Sequence, residues 1–305
     1  MLAPAPDVLR FCAHHLQLGA HRVFLFLDDP QDRVFDILKA HPKVRPTLCD
    51  AAHWQKVIGK RPARHQVRQS KNANMAYARA GDVDWLAHID VDEFLAPTRT
   101  ISDQLATLPI SALCARIRPV EPLLGVDGLF KRAVPKSHQY HNIINRLYPN
   151  WGQHLRGGFL SHVLGKVFVR TGIANAELRI HNVHMGPTRN PGLADLPDMV
   201  LAHFHAASWE QFRRLLDYRL RKGSYRAELK PNRARDKGGA NLHELISRVR
   251  SEQGDDGLRA MFDEVCTARP ELISGLDARG LLVRAELQRD AAVKAEFPSW
   301  FDPAG

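Results

Sequence analysis

The sequence predicts an α/β protein built on a mostly parallel sheet, and three observations predict it. Helix-period and strand-period runs alternate through the first third of the chain. Two of the strand runs end in clustered carboxylates, Asp28-Asp29 and Asp90-Val91-Asp92-Glu93. After residue 208 the pattern turns helical. Strands alternating with helices of about 10–15 residues imply βαβ units and a parallel sheet covered on both faces.

Each element follows in order. "DVLRFCAHHLQLGA" reads as a helix, N-capped by Asp7 and closed at Gly19. "HRVFLFLDD" is a strand of β-branched and aromatic residues, "QDRVFDILKAH" a helix and "KVRPTLC" a weaker strand. "RHQVRQSKNANMAYARAG" is a long helix ending at Gly81, followed by the strand "DWLAHID". Between residues 111 and 205, strand-like runs ("ALCARIRPV", "GKVFVR", "DMVLAHFHA") are separated by irregular stretches of the kind that carry function. Helices are expected over about 208–229, 240–252, 256–267 and 277–295. The expected organisation is a catalytic domain over 1–207 with a helical portion, 208–305, packed on it.

Composition narrows the class. Hydrophobic residues at 44% and charged residues at 25% are those of a soluble globular protein. No stretch approaches the roughly 18 uncharged apolar residues of a membrane span, and the opening lacks the pattern of a signal peptide. Cys12, Cys49, Cys114 and Cys266 have no metal-ligand or disulfide spacing, which predicts reduced thiols and a cytoplasmic protein. His181 and His184 likewise lack companions at zinc spacing. A net charge of +10 points to anionic partners such as nucleic acid, acidic lipid or phosphorylated substrates.

The carboxylate clusters carry the chemistry. In open parallel sheets, ligands bind beyond the carboxyl ends of the strands, where both clusters would fall. Residues two apart on a strand point the same way, so Asp90 and Asp92 would project together. Converging hard oxygen donors suit Mg²⁺ or Mn²⁺, and a cation would relieve the repulsion among the three carboxylates. The same triplet also reads as a solvated strand end.

The ordered set "HHLQLGAHRVFLFLDDPQD", "RQSKNANMAY", "DWLAHIDVDEF", "GKVFVR" and "LAHFHAASWEQF" resembles the bacterial family 2 glycosyltransferases, in the branch whose metal motif reads D-x-D-E-F. It covers roughly residues 7–230. The resemblance implies a GT-A fold, a Rossmann-like sheet with flanking helices that binds a nucleotide-sugar and a divalent metal on one edge. It implies that Asp90 faces the ribose or metal, that Asp92 ligates the metal and that Glu93 orients its neighbours or the donor sugar. Asp28 or Asp29 would contact the base and ribose, and Arg68, Gln69 and Asn72 would reach the donor. His203 or His205 would complete the metal site, and Lys166 or Arg170 would stabilise the diphosphate. Polar-face, buried-histidine and ion-pairing roles stand as alternatives for these last two groups and for the α-helical trio.

The expected reaction is metal-dependent transfer of a sugar, from a UDP-linked donor and with inversion, to a saccharide or lipid-linked saccharide of an envelope or capsule polysaccharide. Inversion needs a general base, for which Glu121 and then Asp127 are the candidates. Family members open with a strand where this chain has at most Met1 to Ala3, so the first strand reads as truncated, with either a start lying upstream or a chain less stable than its relatives. Residues 208–235 could hold an anionic inner-membrane surface or attract the diphosphate, or form a solvated helix face. The rivals are a two-metal nucleotidyltransferase and a non-catalytic nucleic-acid binder. The binder is disfavoured, and no nucleic acid is expected, because aromatics on the basic segment are sparse (Phe212, Tyr218, Tyr225).

Overall fold

The computed structural model describes residues 1–30 and 32–302. In chain order the elements are α1 (Ala5–Gln17), β1 (Val23–Leu27), α2 (Asp32–Ala40), β2 (Val44–Leu48), α3 (Ala51–Ile58), α4 (His65–Ala78), β3 (Trp85–Ala87), β4 (Glu93–Pro97), α5 (Ile101–Ala106), β5 (Cys114–Pro122) and β6 (Leu129–Arg132). They continue with α6 (Tyr140–Leu147), β7 (Lys166–Arg170), β8 (Ala176–Leu178), β9 (Val183–Met185), β10 (Thr188–Arg189), β11 (Leu193–His203), α7 (Trp209–Arg221), α8 (Leu242–Cys266), α9 (Pro270–Asp277), β12 (Leu282–Arg284) and α10 (Arg289–Glu296). The fold is α/β, with mixed sheet and flanking helices.

The chain forms two compact units. One holds Met1–Arg118, Gly165–Leu201 and Leu287–Gly305; the other holds Pro119–Leu164 and Ala202–Glu286. A single cut near residue 208 does not describe this division. The chain changes unit within β5 and within β11, and α10 returns to the first unit. There α10 is tied to α1 by Arg10 Nε, 2.6 Å from Asp290 Oδ1, and by Gln17 bonding Glu296.

In the first unit β1 and β2 pair in parallel from Val23↔Val44 to Leu27↔Leu48. Val23, Leu25 and Leu27 are buried on alternate positions, the period-2 pattern that marks the strand in the sequence. Asp28 N–H donates to Met1 O at 2.9 Å and the Met1 amine bonds Phe26 O, so the opening residue lies along the end of β1. No other strand joins this pair among the described residues.

The larger sheet of this unit runs β3–β7–β5–β11–β4. It is mixed where a mostly parallel one was expected: β7 is antiparallel to both β3 and β5. A parallel neighbour needs a crossover of a dozen or more residues, usually a helix, and the middle of the chain supplies irregular connections instead. Ala73 of α4 packs with Cys114, Val167, Val169, Leu178 and Val183, which fixes α4 over the β5–β7 region. The sequence predicted no helix at 51–58, yet α3 stands there, N-capped by Asp50, whose carboxylate accepts the His53 N–H at 2.7 Å. Conversely, α1 starts at Pro4 without a side-chain cap, and Asp7 lies in its first turn.

Strand β4 ends the sheet, so among the described residues one side of its backbone has no strand partner. Two consecutive histidines of α1 cover it. His14 Nε2 donates to the Leu95 carbonyl (2.7 Å), while the Leu95 N–H donates to His15 Nε2 (3.4 Å). The His15 Nδ1–H in turn donates to Phe11 O at 2.7 Å. A covering helix is a standard protection of an edge strand; here imidazoles do the pairing.

In the second unit the end of β5 pairs with β6 and β6 with β12, all antiparallel. Helices α6 to α9 enclose a core that includes Ile144, Tyr148, Phe212, Leu245, Met261 and Phe262. The two helices expected over 240–267 appear as α8 with a break at Gly254, whose φ is +63°. The single helix expected over 277–295 is instead the end of α9, then β12, then α10.

Candidate functional site

The acidic segment is a turn, not a strand end. Glu93 N–H donates to Asp90 O at 3.0 Å, and the Glu93 carboxylate accepts the Asp90 N–H at 2.8 Å. These reciprocal bonds close residues 90–93 between β3 and β4, so strand alternation does not set where Asp90 and Asp92 point. Side chains of this type compete for local backbone donors and thereby favour turns.

A positive charge sits among the carboxylates. Lys166 Nζ lies 2.8 Å from Asp90 Oδ2 and 3.4 Å from Glu93 Oε2, with the Lys166 and Glu93 side chains 0% exposed. Register explains the meeting. Because β3 and β7 are antiparallel (Trp85↔Arg170, Ala87↔Phe168), residues beyond Ala87 run back toward Lys166 at the start of β7. Burial opposes the ammonium, but Asp90, Glu93 and Asp92 outweigh it and raise the Lys166 pKa. Neighbouring His88 is pushed the other way. Burial first, and then the Lys166 ammonium, lower its pKa to about 4 against the pull of Asp90 and Glu93, so it is neutral at neutral pH.

Helix α4 supplies consecutive residues to both acidic positions. Gln69 Nε2 donates to Asp90 Oδ1 at 2.6 Å, and Arg68 Nε lies 3.9 Å from Asp28 Oδ1. Arg61, in the connection before α4, pairs with Asp28 at 2.8 Å, and the Met1 amine lies 3.8 Å away. Asp28 is therefore the engaged member of its pair, whereas Asp29 is exposed. Asn72 does not share this edge. It is buried, bonding His53 Nε2 at 3.0 Å and Cys49 Sγ at 3.4 Å.

These residues bear on the expected cation. Three formal negative charges, on Asp90, Asp92 and Glu93, act on one ammonium. Carboxylate oxygens are the hard donors that a divalent cation takes. The charge and donor set fit a divalent ion. Asp92 and Glu93 are the carboxylates of this unit that could ligate a metal ion. Glu93, fully buried and bonded to the Asp90 backbone, shapes the turn.

Within the second unit the His203 ring lies 5.1 Å from His162 and 5.3 Å from His205, centre to centre. His205 Nε2 and the Tyr225 hydroxyl are 3.0 Å apart, and Arg219 donates to the His205 carbonyl. Burial, then Arg219 and the neighbouring imidazoles, hold the His205 pKa well below its ordinary value. It is thus the neutral form, the one that ligates metals.

The two candidates for the general base have other surroundings. Glu121 is buried; it accepts the Ser161 and Leu160 N–H groups at 2.8 and 3.3 Å and lies 3.5 Å from Lys131 Nζ. Lys131, itself fully buried, donates to Gly158 O and Val265 O at 2.7 and 2.6 Å. Gly158, at φ +82°, leaves room for Tyr148, which a Cβ would approach to 2.2 Å. A carboxylate so held stabilises the interior and is poorly placed to take a proton from an acceptor. Asp127 is exposed on the β5–β6 connection.

The basic segment is largely spoken for. Arg219 is buried, Arg213 pairs with Asp255 (2.5 Å), and Arg235 pairs with Glu244 (2.7 Å). These contacts give the membrane reading no support, and Arg219 belongs to the interior rather than to a solvated face. No described helix is long and apolar enough to cross a membrane. Arg170 is likewise used locally, donating to Ala112 O at 2.8 Å and stacking 4.4 Å from the Trp85 ring centre. Sequence reasoning did not single out Arg61, His88 or His162. A cation four residues from the start of α4 was a usable signal for Arg61; nothing local marked the others.

Comparison with family models, curated proteins and solved structures finds no match for this chain.

Proposed function

We propose that the protein is a metal-dependent glycosyltransferase that moves a sugar from a nucleotide-sugar, expected to be UDP-linked, to a saccharide acceptor. The observation that carries the reading is that, in one unit, consecutive residues of α4 contact Asp90 and Asp28, while Lys166 feels the charges of Asp90, Glu93 and Asp92 together. The resemblance to family 2 glycosyltransferases supplies the donor class.

In this reading Asp90 and Asp92 would hold the divalent cation. The cation would offset the charge that develops on the leaving diphosphate. Lys166 pairs with Asp90 and fixes it in position, and Glu93 holds the turn through the Asp90 N–H. Arg61 and Arg68, paired with Asp28 at the surface, are cations that the donor phosphates can recruit. No general base is assigned, since Glu121 is committed to Lys131.

The test is a thermal-shift panel with UDP, GDP, CDP and ADP, each with and without Mn²⁺. A ligand at about 100 times its dissociation constant stabilises by roughly 2.7 kcal/mol, a readable rise. The expected result is a rise with UDP that needs Mn²⁺ and disappears in Asp92→Asn. A rise that survives in Asp92→Asn, or no rise with any nucleotide, would sink the proposal.

A further inference from the structure

Helix α4 has two working faces. Arg68, Gln69 and Asn72 turn toward Asp28, Asp90 and Cys49. At 100° per residue, Gln66, Ser70 and Lys71 lie on roughly the opposite side. There they line an open cavity of about 490 Å³, faced by Glu177, Arg179 and His181 of the β8–β9 hairpin.

The volume lies within the roughly 300–1,000 Å³ of small-molecule sites, but such sites are mostly lined by apolar side chains. This one presents donors and charges. Gln66 and Ser70 are half-buried and Lys71 is exposed, and none of the three makes a side-chain hydrogen bond or ion pair with another described residue. Arg179 pairs with Glu177 at 2.8 Å, with both side chains about half exposed at 54% and 49%. A pair that exposed contributes little, so the guanidinium can exchange it for the bidentate grip of an arriving carboxylate or phosphate. His181 donates its Nδ1–H to the Gly165 carbonyl at 3.0 Å, which orients the ring. Lys71 and Arg179 against Glu177 leave one positive charge in excess.

We propose that this cavity binds a hydroxyl-rich ligand carrying one anionic group, the chemistry shared by sugar phosphates and uronic acids. Ser70, Gln66 and His181 meet hydroxyls, and Lys71 and Arg179 meet the anion. The site stands on its own residues and does not depend on the reading of the carboxylate turn.

The experiment is calorimetric titration of the full chain with glucose 6-phosphate, glucuronate and glucose. It is repeated on Lys71→Gln, Arg179→Gln and Asp92→Asn, with circular dichroism to check folding. At least one anionic sugar should bind in the millimolar range, about tenfold more tightly than glucose, with each cavity substitution weakening it about fivefold. Asp92→Asn should leave that binding unchanged, and the preferred anion separates phosphate from carboxylate ligands. Binding of neither anion, equal binding of glucose, or indifference to both cavity substitutions would overturn the proposal. Loss of binding with Asp92→Asn would do so too, by assigning it to the carboxylate turn.

Discussion

Acid should loosen β4 through His15, and by a predictable amount. The His15 Nε2 accepts the Leu95 N–H while its Nδ1–H donates to Phe11 O, an arrangement only the neutral ring can make. Burial, and then the neighbouring His14, lower its pKa from 6.5 to about 3. Between those values the unfolded chain binds the proton and the folded chain does not, so stability falls as pH falls. At pH 5 the unfolded state is favoured by about 1.5 pH units of proton binding, or about 2 kcal/mol at 1.36 kcal/mol per unit. That is a large share of the roughly 5–15 kcal/mol that holds a domain together. The assay compares urea midpoints at pH 7.5, 6.0 and 5.0 for the wild type and for His15→Gln, which cannot titrate. The variant should start less stable, yet lose about 2 kcal/mol less across the range. Equal pH slopes would refute the reasoning, because the imidazole would then be protonated without cost. His14 and His205 are lowered in the same direction and steepen the slope in both proteins alike.

Two buried lysines allow further tests. Lys166→Met leaves Asp90 and Glu93 without their ammonium and should cost about 3–5 kcal/mol in urea unfolding, with Asp90→Asn in the same chain recovering part of the loss. A cost below about 1 kcal/mol would show that the carboxylates do not depend on it. Because the Lys166 pKa is raised, its contribution is complete below about pH 10 and fades only in stronger base. Glu121→Gln should destabilise by about 3 kcal/mol or more, since Lys131 stays buried with its charge. If Glu121 were instead a catalytic base, the folded variant would keep its stability and lose transfer activity by orders of magnitude.

How far the sequence could be read depends on how far apart the interacting residues lie. The alternation of Val23, Leu25 and Leu27, and the break at Gly254, are local signals, and the structure has a strand and a helix break there. The acidic cluster at Asp90 was legible too, as an electrostatic problem needing a positive partner. Its geometry was not, because strand alternation was applied to residues that close a turn on their own side chains. Lys166 was legible as a cation that could pair with a carboxylate, but its pairing with Asp90 was not. Lys166 is 76 residues away, and the β3–β7 register that delivers it depends on how the long intervening connection folds.

Glu121 poses a different problem of legibility. Taken alone, a carboxylate between apolar residues in "RPVEPLLG" reads as a base. Yet "LLGVDGLF" is a turn signal, with Gly125 and Gly128 both at positive φ, joining two runs that pair as a hairpin. Fixing that turn fixes the register, and the register sets Glu121 directly opposite Lys131. An opposite-charge pair facing across a hairpin, each member next to a buried apolar residue (Val120 and Phe130), is more economically explained as an interior ion pair than as an acid and a base awaiting substrate. The residue that pairs with Glu121 lay within ten positions of it, whereas the register that brings Lys166 to Asp90 could not be read from the residues around either.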